Sequence, residues 1–147
     1  MFPLSVIAKW FGNALLKALN KEVNWATDII KVMLCTSTYA VNQDTHIYRS
    51  SVTNEVVGTG YTAGGATLGT KTITYDNATN VIRLSAAATV WTASTITARF
   101  AVIYVDTGTA GTSTLLGYVD FGQDQISFNG EFRITWNANG IFRVTVD

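Results

Sequence analysis

The sequence is short of charge. Of its 147 residues only 14% are Asp, Glu, Lys or Arg, where an ordinary globular chain carries roughly a quarter. Ten cationic residues balance ten acidic ones, and no basic run occurs. Binding to nucleic acid needs clustered cations that displace counterions, so that class of partner is not expected. One cysteine, Cys35, excludes an intrachain disulfide, and one histidine, His46, leaves the usual structural zinc ligand sets incomplete. Cys35 lies in the apolar run "IIKVMLCT" and reads as a buried small hydrophobe, in a chain that fits a reducing compartment. The single proline, Pro3, leaves the rest of the chain free of its breaks. No apolar stretch is long enough to cross a membrane, because Lys9, Asn13 and Lys17 interrupt the N-terminal one. A charged start and a small-residue cleavage site are also missing, so no signal peptide is expected.

Apolar residues, by contrast, are abundant at 48%. Length and hydrophobicity together fit one domain with a sizeable core and exclude a disordered chain. Leu4, Ile7, Phe11, Ala14, Leu15, Ala18 and Leu19 recur at helical spacing. They predict an amphipathic helix over 4–20, with Pro3 in its first turn. Its apolar stripe is expected to pack on the domain or on a neighbour, since Lys9 and Lys17, with Lys21 just beyond, make no strongly basic face for a membrane. Residues 1–24 are thus a helix with its lead-in, and 25–147 a single β-sandwich domain.

After Asn24 the pattern becomes that of strands. Thr is frequent, and β-branched and aromatic residues form short runs between Gly, Asn, Asp and Ser clusters. "DIIKVMLCT" reads as a first strand, and "KTITYD" and "NVIRLSA" flank the turn residues "NATN". "TARFAVIYVDT" is apolar on both faces, as a central strand covered twice would be, with the N-terminal helix available as one cover. "TLLGYVDFG" is a further strand. "EFRITWNANGIFRVTVD" predicts a hairpin turning at Asn139-Gly140, with Phe132, Ile134 and Trp136 answered by Phe142, Val144 and Val146. The expected fold is mainly β, an antiparallel sandwich or jelly roll of about eight strands with one N-terminal α-helix.

The residues that could carry chemistry are sparse. "VVGTGYTAGGATL", Val56 to Leu68, holds four glycines, but Gly64 comes one position late for a dinucleotide fingerprint and the following "ATLGTKTITY" is strand-like. The glycines are expected to serve backbone geometry. His46, near Asp44 and Ser50, reads as a loop histidine rather than a triad base. Asp120 and Asp124 in "DFGQD" read as turn formers rather than an acid-base pair or a calcium loop. Trp10, Trp25, Trp91 and Trp136 read as core or interface anchors rather than a sugar platform. No catalytic, cofactor or metal residue is assigned, and no enzymatic role is expected.

The blocks "WATDIIKVMLCTSTYAVNQDTH", "TNEVVGTGYTAGGATL", "TVWTASTITARFAVIYVDTGT", "LLGYVDFGQD" and "FRITWNANGIFRVTV", in that order, resemble a family of small structural proteins of tailed-bacteriophage virions, most like capsid decoration (cement) proteins. The resemblance spans nearly the whole chain, most clearly from Asn24 onward. It implies a β-sandwich on the outside of the capsid, bound to the major capsid protein as a homo-oligomer, a trimer at a local threefold position. It also implies a passage through the host cytoplasm during assembly, and no catalytic residues. A tail tube, tip or fibre component and a carbohydrate-binding module on the virion surface are the alternatives.

Overall fold

The computed structural model describes residues 4–147. The chain is mainly β, built from antiparallel sheets with one short helix in a sandwich-like arrangement. In chain order the elements are β1 (Leu4–Val6), β2 (Lys9–Trp10), α1 (Ala14–Leu19), β3 (Ile30–Cys35), a 3-10 turn (Arg49–Ser51), β4 (Ala66–Thr67), β5 (Thr72–Asp76), β6 (Val81–Ser85), β7 (Thr89–Val105), β8 (Leu115–Trp136) and β9 (Phe142–Thr145). One sheet runs β1-β8-β7-β3-β4 with β2 also on β8, and a second runs β5-β6-β9. Every pairing is antiparallel except that of β1 with β8.

The centre is a long ribbon of β7 and β8 that folds back on itself. Phe121 and Phe132 both lie on β8, yet their rings sit 6.3 Å apart. In a straight strand their Cα atoms would be separated by about 36 Å. The bend arises where the register breaks: Arg99 alone opposes the segment from Phe121 to Asp124, and Gly122 takes a φ of +81°. Such bulges bend a strand and increase its twist. Ser94 and Ser127, both buried in the ribbon, share a hydrogen bond of 2.8 Å, and the Ser94 hydroxyl also reaches the Gly130 carbonyl at 2.9 Å. These polar groups are satisfied internally, as burial demands.

The folded ribbon brings its two ends to the N-terminal segment, and there the expected helix over 4–20 is overturned. Val6 pairs with Trp136 and Lys9 with Tyr118, so a three-residue step joins both ends of β8. The Ala8 N–H donates to the Ile141 carbonyl and the Phe11 N–H to the Leu116 carbonyl, each at 2.9 Å. Leu4, Val6, Ala8 and Trp10 also alternate with a period of two, and pairing them satisfies an edge of β8 that a helix would leave open. Gly12 and Asn13 end this extended run, and only the six residues of α1 are helical. Pro3, expected in the helix's first turn, lies outside the described residues.

The expected C-terminal hairpin is also corrected. The chain does reverse at Asn139-Gly140, where the Gly140 N–H reaches the Asn137 carbonyl at 2.9 Å and Gly140 has φ +106°. But β9 pairs with β6, while the end of β8 pairs with β1. The turn is therefore a corner between sheets. The β5-β6 hairpin across "NATN" forms as the sequence predicts, with Asp76 opposite Val81.

The C-terminal stretch of β7, Ala101 to Val105, is central and buried on both faces, as its composition predicts. Ala101, Ile103 and Val105 join the larger core, which the second sheet covers with Leu84 and Phe142. Val102 and Tyr104 join a smaller cluster with Met33, Cys35 and Leu115, roofed by Tyr39, Val41 and Val52. Loop residues, not the N-terminal helix, supply that second cover; α1 instead sets Ala14 into the larger core. Phe142 locks the second sheet in place: it is fully buried, stacked on Trp10 at 4.2 Å and edge-on to Trp25 at 6.0 Å. Phe142→Ala is expected to cost about 3–5 kcal/mol, read as a lowered urea midpoint at unchanged slope.

Candidate interaction surface

The glycine-rich stretch is a packed connection. Gly60, Gly64 and Gly65 have φ of +78°, +94° and +83°. Gly58 does not, but a Cβ there would meet the Thr95 carbonyl oxygen at 2.3 Å, and one on Gly65 would meet that of Val32 at 1.8 Å. Both backbone groups of Gly64 and the Tyr61 hydroxyl are bonded inside the protein. The Gly64 N–H donates to the Glu55 carboxylate at 2.6 Å, and the Gly64 carbonyl accepts from the Tyr104 hydroxyl at 2.6 Å. The Tyr61 hydroxyl accepts from the Leu34 N–H at 2.9 Å. β4 follows rather than a helix, so the loop does not end in the helix N-terminus that a phosphate-binding loop of this kind uses.

The other residues singled out in the sequence are dispersed. Nδ1 of His46 shares a hydrogen bond of 2.9 Å with the Tyr39 hydroxyl, and the two rings stack at 5.7 Å. Neither Asp44 nor Ser50 hydrogen-bonds the imidazole. Asn42 caps the turn through the N–H groups of Asp44 and Thr45, and the Ser50 N–H goes to the Ala110 carbonyl. Asp120 takes the Arg99 guanidinium at 2.6 Å and the Gly122 N–H at 2.8 Å, so it shapes the β8 bulge. Asp124 shares neither contact. Trp25, Trp91 and Trp136 are buried in the core. Among the described residues, no cluster of three or more His, Cys, Asp or Glu side chains forms a metal-ligand set.

Cys35 and its aromatic neighbours are held neutral. Burial, reinforced by the charge of Glu55, pushes the Cys35 thiol up to about 12. Burial likewise raises Tyr104 to about 12, and Tyr39 and Tyr61 further still.

What the surface does present is apolar. Leu15, Ala18 and Leu19 of α1 face Ile73, Ile82 and Val144 of the second sheet across an open trough of about 410 Å³, floored by Trp10, Leu84 and Leu116. Leu16 and Leu19 are 57% and 84% exposed, and Ile73 and Tyr75 of β5 are 50% and 55% exposed. Elsewhere Val57 is 99% exposed, and Phe128 and Ile126 on β8 are 82% and 58% exposed. Apolar residues exposed singly are ordinary on a protein surface; the trough with Leu19 and Ile73 is the contiguous part of this apolar surface. The sequence shows that charge is scarce and apolar residues are abundant, but not where the apolar groups lie. No family model, curated protein or solved structure matches this chain.

Two outcomes follow from this geometry. Gly65→Ala is expected to destabilise by about 4 kcal/mol or more, whereas Gly69→Ala is expected within about 0.5 kcal/mol. Gly69 has open space around it, and thermal melts of the two variants make the comparison. In the unfolded chain Cys35 and the tyrosines ionise near their ordinary values of 9.0 and 10.0, while their folded values are raised. Stability from these groups is therefore complete below about pH 9 and is lost as pH rises toward 12. Urea midpoints across that range should fall steadily, and a thiol reagent at pH 8 should label Cys35 only as fast as the chain opens.

Proposed function

We propose that this chain is a structural protein of a tailed-bacteriophage virion, specifically a decoration protein bound to the outside of the head. The observation that carries the reading is the surface. Large apolar side chains stand exposed at Leu16, Leu19, Val57, Ile126 and Phe128 on a molecule with little charge to keep it apart from others. The sequence blocks that resemble decoration proteins fall on the structural centre: the glycine-rich connection, β7, and both ends of β8. Supporting it further, Gly64 and Tyr61 of the glycine-rich loop and the ring of His46 bond to groups of the chain itself.

Cement function on this reading is mechanical. Each copy bridges neighbouring capsid subunits and binds the assembled lattice more tightly than free subunits, which stabilises the assembled state by mass action. Repeated copies turn weak contacts into avidity. Homo-oligomerisation belongs to the same reading, and a threefold copy number rests on the resemblance alone. The carbohydrate alternative is less well supported, because three of the four tryptophans are buried and Trp10 gives one face to Phe142.

The test is reconstitution. Capsids stripped of the protein are mixed with purified chain and sedimented, and saturable binding at a fixed copy number per shell is expected. Absence of the protein from the pellet at gentle salt sinks the reading. Gold labelling of intact particles distinguishes head from tail, and label confined to the tail would transfer the chain to the tail class.

A further inference from the structure

We propose that β5 is a self-pairing edge, through which two copies of this chain join their second sheets about a twofold axis at Thr74. β5 is the outer strand of the sheet β5-β6-β9. The direction of its peptide groups follows from its neighbours. The Asn80 carbonyl accepts from Val146 and the Leu84 carbonyl from Ile141. Residues 80, 82 and 84 thus turn their peptide groups toward β9, and 81, 83 and 85 turn theirs toward β5. The partners of the latter are Asp76, Thr74 and Thr72. Ile73 and Tyr75 therefore aim their N–H and C=O groups away from the sheet, and no turn, loop or side-chain group among the described residues bonds them.

Natural edges are usually guarded by proline, lysine, a bulge or a cover. β5 has none of these within it. Lys71, just before the strand, is turned aside to the Asp28 carbonyl, and the Trp25 indole N–H holds the Thr72 carbonyl at 2.9 Å. These contacts tie the start of the strand to the 25–28 segment, and the outward groups of Ile73 and Tyr75 stay open.

A second copy of β5 fits this edge better than an arbitrary strand, because the segment is complementary to itself. In an antiparallel pair centred on Thr74, Ile73 lies opposite the partner's Tyr75, and Tyr75 opposite the partner's Ile73. Those are the residues whose main-chain groups are free, so the pair forms reciprocal hydrogen bonds at both positions. Their half-exposed side chains then meet as aromatic–β-branched cross-strand pairs. No like charges collide: Asp76, already paired with Arg83 at 3.0 Å, faces the partner's Thr72. The joined face continues into the apolar trough, since Ile73 lines both. A standard interface covers roughly 800 Å² per partner, and a five-residue edge covers only part of that. Leu15 and Leu19, which line the trough with Ile73, add to the area, so a dissociation constant between about 10 μM and about 1 mM is expected. An isologous contact of this kind closes at two copies. It is independent of the capsid reading and of any threefold association.

Sedimentation equilibrium of the full chain over a concentration series tests the idea, together with amide hydrogen exchange. The mass should double with concentration. The amides of Ile73 and Tyr75 should exchange freely in dilute solution and become protected as the mass rises, with Thr74 unchanged. Tyr75→Lys, which adds charge to the face, and Ile73→Pro, which removes only an outward N–H from the backbone, should each weaken association about tenfold or more. Thr97→Ser, exposed on β7 and outside this surface, should leave it unaltered. A mass fixed at one or three chains up to about 1 mM would overturn the proposal, as would a doubled mass with Ile73 and Tyr75 amides still unprotected. The exchange measurement uses the unaltered chain, so the test stands even if a variant misfolds.

Discussion

Folding the β7-β8 ribbon back on itself is the constraint on which the other features depend. Once Phe121 is brought against Phe132, the outer edges of both halves of β8 face the same region. A short extended segment can then satisfy both, and Leu4 to Trp10 does so. The crossing is tight enough that Gly117 has no room for a side chain: a Cβ would lie 2.2 Å from the Phe142 ring and 2.5 Å from the Lys9 carbonyl oxygen. That absence lets Phe142 sit under Trp10 and fixes the second sheet against the first. The bulge at Phe121–Asp124, the positive φ of Gly122 and the buried Ser94–Ser127 bond are local irregularities in a strand, but together they set the path of the chain.

How much of this is legible in the sequence depends on the range of the deciding interaction. The β5-β6 hairpin is legible because its turn chemistry is local and its partners are neighbours. The burial of β7 is legible because a strand apolar on both faces needs a cover on each. The N-terminus is not, because Leu4, Ile7 and Phe11 fit a helical period while Leu4, Val6, Ala8 and Trp10 fit a strand period. Only the open edge of β8, remote in sequence, decides between them. The final hairpin is hidden for the same reason: Asn139-Gly140 fixes a reversal but not the partner, and Ile141 finds Leu84 at 2.7 Å. Nor is β8 legible as a single strand, since "FGQDQISFNG" carries the glycines and polar residues of a break. Here they supply a bulge and a buried serine within one continuous strand.

Chemistry-bearing residues are legible chiefly by their spacing. The glycine-rich stretch lacks the strand-turn-helix setting that phosphate binding needs, and its positive-φ glycines and close backbone approaches agree with the geometric reading. The apolar surface is legible as a deficit of charge but not as a place. Alternating Thr, Ile, Thr and Tyr describes any half-buried strand; whether its outer edge is free is a property of sheet order, which no local pattern encodes.

Edge and trough also bear on one another energetically. The second sheet has a polar outer face of Thr72, Thr74, Asp76, Arg83 and Arg143. Its inner face is covered at Leu84 and Phe142 but left bare toward Ile73 and Tyr75. A core completed within the chain would have extended α1 over that bare strip; its six residues stop short, with Leu19 largely in water. Burying exposed apolar surface yields about 25 cal/mol per Å², and nothing within the described residues collects that gain. At zero formal net charge there is also little long-range repulsion to oppose a neighbour's approach. The uncovered strip is therefore lower in free energy against another apolar surface than against water, whichever assembly provides it.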